Sequence, residues 1–302
     1  MSGWSGGGHG RRGGRRQDHG QPRHQKPKSE GNKQDLVDEN SPVIKSFRLF
    51  ATELDAKHDK YERLVKLSRD VTIESKRIIF LLHTITGSQA EDRFHHLEDN
   101  LLRAIAVELK GEDPYQFLRG FAPGIQEYIE AKSFYVYLKE DRLEHWKNIQ
   151  EILKFEMKPI PTVVEPGMTP TEETTVVAQE KEPEKVVALL PPTDYILGLA
   201  DLTGELMRRC INCLGMGQVE MCYQACNFMR DIHRGFLGTN VQGCKELGRK
   251  LYVLRQSLVK TENACYTIHV RGSEVPKHLL ADVLSMHGGA REEGQEEDEG
   301  YY

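Results

Sequence analysis

Two stretches of this 302-residue chain set carboxylates among apolar residues at helical spacing. In ILGLADLTGELMR (196–208), Asp201 and Glu205 stand four apart among Leu197, Leu199, Ala200, Leu202 and Leu206. On a helix that is one turn, so both acids project from the same face. In IQEYIEA (125–131), Glu127 and Glu130 stand three apart among Ile125, Tyr128, Ile129 and Ala131. A carboxylate in an apolar setting is costly unless something neutralises it. Two helices that each offer such a pair can build an oxygen-rich cage for a hard cation such as Mg2+. The same spacing also describes an ordinary solvated helix face, and only burial decides between the two.

The elements that must position these acids read as helices throughout. Ser41-Pro42 looks like a cap followed by proline at the first helical position. From Val43 to Thr86 no Gly or Pro interrupts. Residues Ile44, Phe47, Ala51, Leu54, His58, Tyr61, Val65, Ser68, Thr72, Ser75, Ile79 and Leu82 recur at steps of three and four. That spacing predicts one very long helix with a heptad-like seam that needs neighbours along its whole length. His58 on the seam is expected to be packed or capped. The opposite face, with Lys57, Lys60, Glu62, Arg63, Lys66 and Arg69, is expected to face solvent.

Further helices are predicted from Ser88 to Lys110, from Pro114 to Glu140 and from Arg142 to Met157. Pro123-Gly124 should loosen the turn before Glu127. Residues 158–191 are dominated by Pro, Thr and Glu and read as a mobile insert or linker. Helices are then expected from Pro192 to Gly215, Val219 to Leu237 and Gln242 to Val270, with a short element after Ser273. No strand alternation is evident. The fold class is therefore all-α, a bundle of about seven helices over residues 41–287 with a very long first helix.

Charge is distributed unevenly. Residues 1–35 carry eight Lys/Arg against three Asp/Glu, and residues 288–302 one against six, so the body between them has a net charge of −5. Residues 1–40 are Gly/Arg-rich and 288–302 acidic, and both are expected to be disordered tails. An acidic body is a poor polyanion binder by itself, so a nucleic-acid substrate would need a partner to supply much of the grip. No window approaches a membrane span, and no secretory signal is recognisable. Cys210, Cys213, Cys222, Cys226, Cys244 and Cys265 fall in helical patterns. They read as reduced thiols of a cytosolic or nuclear protein, with Cys210-x-x-Cys213 and Cys222-x-x-x-Cys226 a weak zinc signal. The common nucleotide, hydrolase and metalloprotease motifs are absent.

The segments HDKYERLVKLSRD (58–70), ESKRIIFLLH (74–83), QEYIEA (126–131), ADLTGELMR (200–208), LVKTENACY (258–266) and VRGSEVPKHLLADV (from 270) together resemble the translin family, in particular its translin-associated branch. The resemblance covers about residues 40–287 and implies a seven-helix fold that joins translin in a closed hetero-oligomer, a hetero-octamer. It further implies the catalytic subunit of a Mg2+-dependent endoribonuclease, with Mn2+ as a substitute. Its substrates would be single-stranded or nicked small RNA: passenger strands in silencing-complex activation and transfer RNA fragments, with single-stranded DNA also bound. The family's catalytic and metal-binding carboxylates match Glu127, Glu130, Asp201 and Glu205 without departure. Cytoplasm and nucleus are the expected locations. The alternatives are a non-catalytic helical scaffold that stabilises translin and, less well supported, a module for single-stranded DNA, for which no basic stripe or aromatic platform is evident.

Overall fold

The computed structural model describes residues 40–84, 88–157, 184–239 and 244–271. The expected basic tail, most of the 158–191 insert, the element after Ser273 and the acidic tail lie outside the described residues. Among those described, the regular elements are overwhelmingly helical, and the class is all-α as expected.

Helix α1 spans Pro42–Thr84 with no interruption. Two compact units divide between Ala51 and Thr52, so residues 42–51 of α1 belong to the first and every element below to the second. In the first unit, Val43, Phe47, Leu49 and Phe50 are each more than half exposed, and Phe47 and Phe50 meet edge to face. In the second, α1 buries Leu64, Ser68, Val71, Ser75, Ile78, Ile79 and Leu82. The seam therefore holds in its second half and drifts toward Leu64, Val71 and Ile78, because a 3.6-residue turn does not keep a strict 3.5-residue repeat on one line. His58 is the clear departure: its side chain is 69% exposed and lies 3.4 Å from Glu62, one turn on. The charged face meets solvent as expected, tied by Lys60–Glu112 at 2.7 Å and Arg63–Glu108 at 2.5 Å.

The run predicted from Ser88 to Lys110 is helical but not uniform. It comprises α2 (Ser88–His96), a π-helical turn (Leu97–Leu102) and α3 (Arg103–Glu108). The widened turn buries Glu98, whose carboxylate accepts from Tyr128 Oη at 2.7 Å and Lys132 Nζ at 2.8 Å. Counted as one, that run brings the described helices to seven.

Helix α4 (Pro114–Glu140) is capped by Asp113, whose side chain accepts from the Tyr115 amide. It carries Pro123 in its interior. Proline lacks the N–H that would close the turn, and α1 supplies a repair. The Gly124 amide donates to Ser68 Oγ at 2.9 Å, and the Ser68 hydroxyl donates to the Phe121 carbonyl at 3.3 Å.

Helix α5 covers only Trp146–Ile152. The chain then enters a two-stranded antiparallel ribbon, β1 (Lys154–Glu156) with β2 (Lys185–Val187), in the register Phe155 opposite Val186. This corrects two expectations: the fourth helix does not reach Met157, and the end of the presumed linker is ordered. Both strands alternate exposed, buried, exposed, and Phe155 and Val186 enter the core. Three residues were too few for that alternation to register in the sequence.

Helix α6 (Pro192–Gly215) is the central element, packed against α4, α7 (Val219–Leu237) and α8 (Lys245–Arg271). Among the described residues no helix is long and apolar enough to cross a membrane.

Candidate functional site

Helix α4 presents Glu127 and Glu130, and α6 presents Asp201 and Glu205. The contact that brings them together is Gly198. A Cβ built there would stand 2.7 Å from the Gln126 carbonyl oxygen, 2.7 Å from Ile129 Cβ and 2.8 Å from Ile129 Cγ2. Only a residue without a side chain allows the α6 backbone that close to α4. Glu127 and Glu130 flank Ile129 at this crossing on α4, and Asp201 and Glu205 follow Gly198 by about one and two turns on α6.

Burial, followed by the charges of Glu127, Asp201 and Glu205, pushes the Glu130 carboxyl up to about 8, with Lys76 opposing weakly. Glu130 is thus the acid whose titration the other three influence.

Three of the four are turned toward cations. Lys76 of α1 stands 3.1 Å from Glu127 Oε1, while Glu127 Oε2 is buried with no hydrogen-bond partner. His83 Nε2, at the end of α1, lies 2.7 Å from Glu205 Oε2, which Arg208 approaches at 3.2 Å. Lys250 Nζ of α8 donates to Asp201 Oδ2 at 2.7 Å, to Gln126 Oε1 at 2.8 Å and to the Leu197 carbonyl at 3.4 Å. Gln126 passes the link to the buried Asp194 through Nε2 at 2.8 Å. Glu130 has neither an ion pair nor a hydrogen bond among the described residues.

The donor set fits a hard divalent cation chemically: four carboxyl groups, one oxygen orphaned in the interior, and one carboxyl whose pKa is raised by burial and by its acidic neighbours. The geometry is not closed. Among the described residues no three Asp, Glu, His or Cys side chains converge as a metal site.

Lys76, His83, Gln126, Asp194, Arg208 and Lys250 were not singled out in the sequence. Of these, only Arg208 has a local signal, three residues after Glu205. Lys250 lies 49 positions from Asp201, and His83 lies 122 from Glu205.

The cysteines are free. Cys210 and Cys213 of α6, Cys222 and Cys226 of α7 and Cys265 of α8 form a second buried cluster with Leu214, Ala225 and Ile268. Their thiols address carbonyls, Cys222 Sγ to Cys210 O at 3.2 Å for example. They pack as small apolar groups rather than as a zinc knuckle.

The Translin family model matches residues 59–272, and the chain belongs to that family. It is similar to Translin-associated protein X of Mus musculus, 46% identical over 257 residues that cover 82% of this chain and 85% of the relative. A Translin-associated protein X homolog of Schizosaccharomyces pombe is 27% identical over 242 residues, 76% of this chain and 89% of the relative. Among solved structures, apo-NeC3PO superposes with a TM-score of 0.53 at 19% identity, covering 74% of this chain and 95% of that one. AfC3PO bound to duplex RNA superposes at 0.50 with 18% identity, covering 81% and 98%. At these identities the two structures speak to the fold alone.

Proposed function

We propose that this chain is the carboxylate-bearing subunit of an assembly with translin, and that the assembly is a Mg2+-dependent endoribonuclease, Mn2+ being able to replace Mg2+. The observation that carries the reading is the contact of Gly198 with Ile129, which packs the helix bearing Asp201 and Glu205 directly against the one bearing Glu127 and Glu130. Four acids from two helices are assembled at a cost in repulsion that a cation would relieve. An ion held by Glu127, Glu130, Asp201 and Glu205 would offset charge developing on a scissile phosphate and acidify an attacking water. The rest belongs to the chain. Gly198 sets the separation of the two pairs, His83 and Arg208 orient Glu205, and Lys250 orients Asp201.

The acidic body, net −5 over residues 36–287, supports an arrangement in which translin supplies much of the RNA-binding charge. Apolar residues left uncovered on α8, such as Tyr252, Val253 and Tyr266, support burial against another subunit. The name of the mouse relative describes a protein associated with translin, and one structural neighbour holds duplex RNA. Substrates in this reading are single-stranded or nicked small RNAs, including passenger strands and transfer RNA fragments, met in cytoplasm and nucleus.

The rival reading is a scaffold that stabilises translin without catalysis. Its support is that Lys76, Lys250, His83 and Arg208 already neutralise three of the acids without a metal. A cleavage assay on the co-purified pair decides between them. In the nuclease reading, EDTA abolishes turnover with the oligomer intact, and Asp201→Asn or Glu130→Gln does the same. No cleavage by the wild-type pair, or cleavage that survives both treatments and so does not use these acids, would leave this chain only the scaffold role.

A further inference from the structure

We propose that Lys250 is a resident counter-cation that holds the place of the metal: its ammonium orders Asp201 and Gln126 while no ion is present and must leave when one binds. The inference rests on the metal-site reading above. Lys250 reaches in from α8, an element that contributes none of the four acids, and its side chain is only 19% exposed. Its three acceptors come from both acid-bearing helices: Gln126 Oε1 from α4, Asp201 Oδ2 and the Leu197 carbonyl from α6. One ammonium thus spans the crossing at Gly198 that sets the distance between the carboxylate pairs.

A cation and this ammonium compete for one carboxylate. An ion coordinated by Asp201 places a second positive charge within a few ångströms of Nζ, and like charges at that separation in a half-buried setting repel strongly. The lysine stem has four rotatable carbons and can carry Nζ outward to water. Lys76, by contrast, is 63% exposed and among the described residues pairs with Glu127 alone, so Lys250 is the cation whose displacement matters most.

Two readouts other than activity test this on the full chain co-purified with translin and stripped of metal. The first is Mn2+ affinity, read as free Mn2+ by electron paramagnetic resonance. Lys250→Met should bind Mn2+ at least about fivefold more tightly than wild type, since the competing charge is gone. Lys250→Gln, which still donates a hydrogen bond, should show the same direction and serves if the methionine variant does not assemble. Lys76→Met should change affinity less. The second readout is labelling of Lys250 by an amine-reactive ester, mapped by mass spectrometry, which should increase when Mn2+ saturates the wild-type complex.

Affinity unchanged or weakened by both Lys250 variants, or labelling that does not rise with Mn2+, overturns the place-holder role. If Asp201→Asn still abolishes Mn2+ binding in that case, the carboxylate site stands without it. If the wild-type complex binds no Mn2+, or Asp201→Asn binds as wild type does, the metal site itself falls and the role of Lys250 with it.

Discussion

Gly198 of α6 lies against Ile129 of α4 with no room for a methyl group: a Cβ would stand 2.7 Å from Ile129 Cβ. This contact sets how closely Glu127 and Glu130 approach Asp201 and Glu205. Substitution Gly198→Ala should force the helices apart and destabilise the chain by about 1–3 kcal/mol, the usual range for overpacking. Thermal melting measures the stability, and the same variant should lose RNA cleavage out of proportion to its fraction unfolded. Full activity at unchanged stability would show that α4 and α6 tolerate a wider spacing.

The raised Glu130 carboxyl makes stability depend on pH. Unfolded, the group titrates near the ordinary value of 4.5, and folded, at about 8. The native state therefore binds the extra proton between those values, and its contribution, complete below pH 4.5, is lost as pH rises through 8. In EDTA, wild-type melting temperature should fall over this window. Glu130→Gln, which cannot ionise, should flatten that component and be the more stable protein above pH 8. A variant whose pH profile matches wild type would place the titration elsewhere.

Ser68 closes the gap that Pro123 opens in α4. It is buried, accepts from Gly124 and donates to Phe121. Ser68→Ala strands the Gly124 amide in the interior and should cost about 1–3 kcal/mol. Pairing it with Pro123→Ala, which restores a helical donor at position 123, should recover less than the full loss because the Gly124 amide still faces α1. Denaturant unfolding of the two single variants and the double variant gives the coupling.

The buried thiols predict a reactivity order. Cys244 is the least buried of the six, so it should react first with a thiol reagent in the native state. The remaining five are buried and should react only once the fold opens. Timed alkylation with peptide mapping checks the order. Cys210 labelled before Cys244 would contradict the packing of that cluster.

The sequence alone determined a great deal. The spacing of apolar residues, the proline starts at 42, 114 and 192 and the glycines after 110 and 214 are local signals, and they placed most helix boundaries within a few residues. The acid pairs at 127/130 and 201/205 were legible for the same reason, since one helix fixes the geometry of residues three or four apart. What it could not hold was any relation between elements. The ribbon of Lys154–Glu156 with Lys185–Val187 needs two strands nearly thirty residues apart, each too short to show a period. The outward position of His58 depends on which neighbours cover α1, not on its place in the repeat. The partners of the acids, Lys76, His83 and Lys250, come from helices remote in sequence, and their selection is made by how α1, α4, α6 and α8 pack. Local periodicity chose the acids, and only tertiary contact decided which cations answer them.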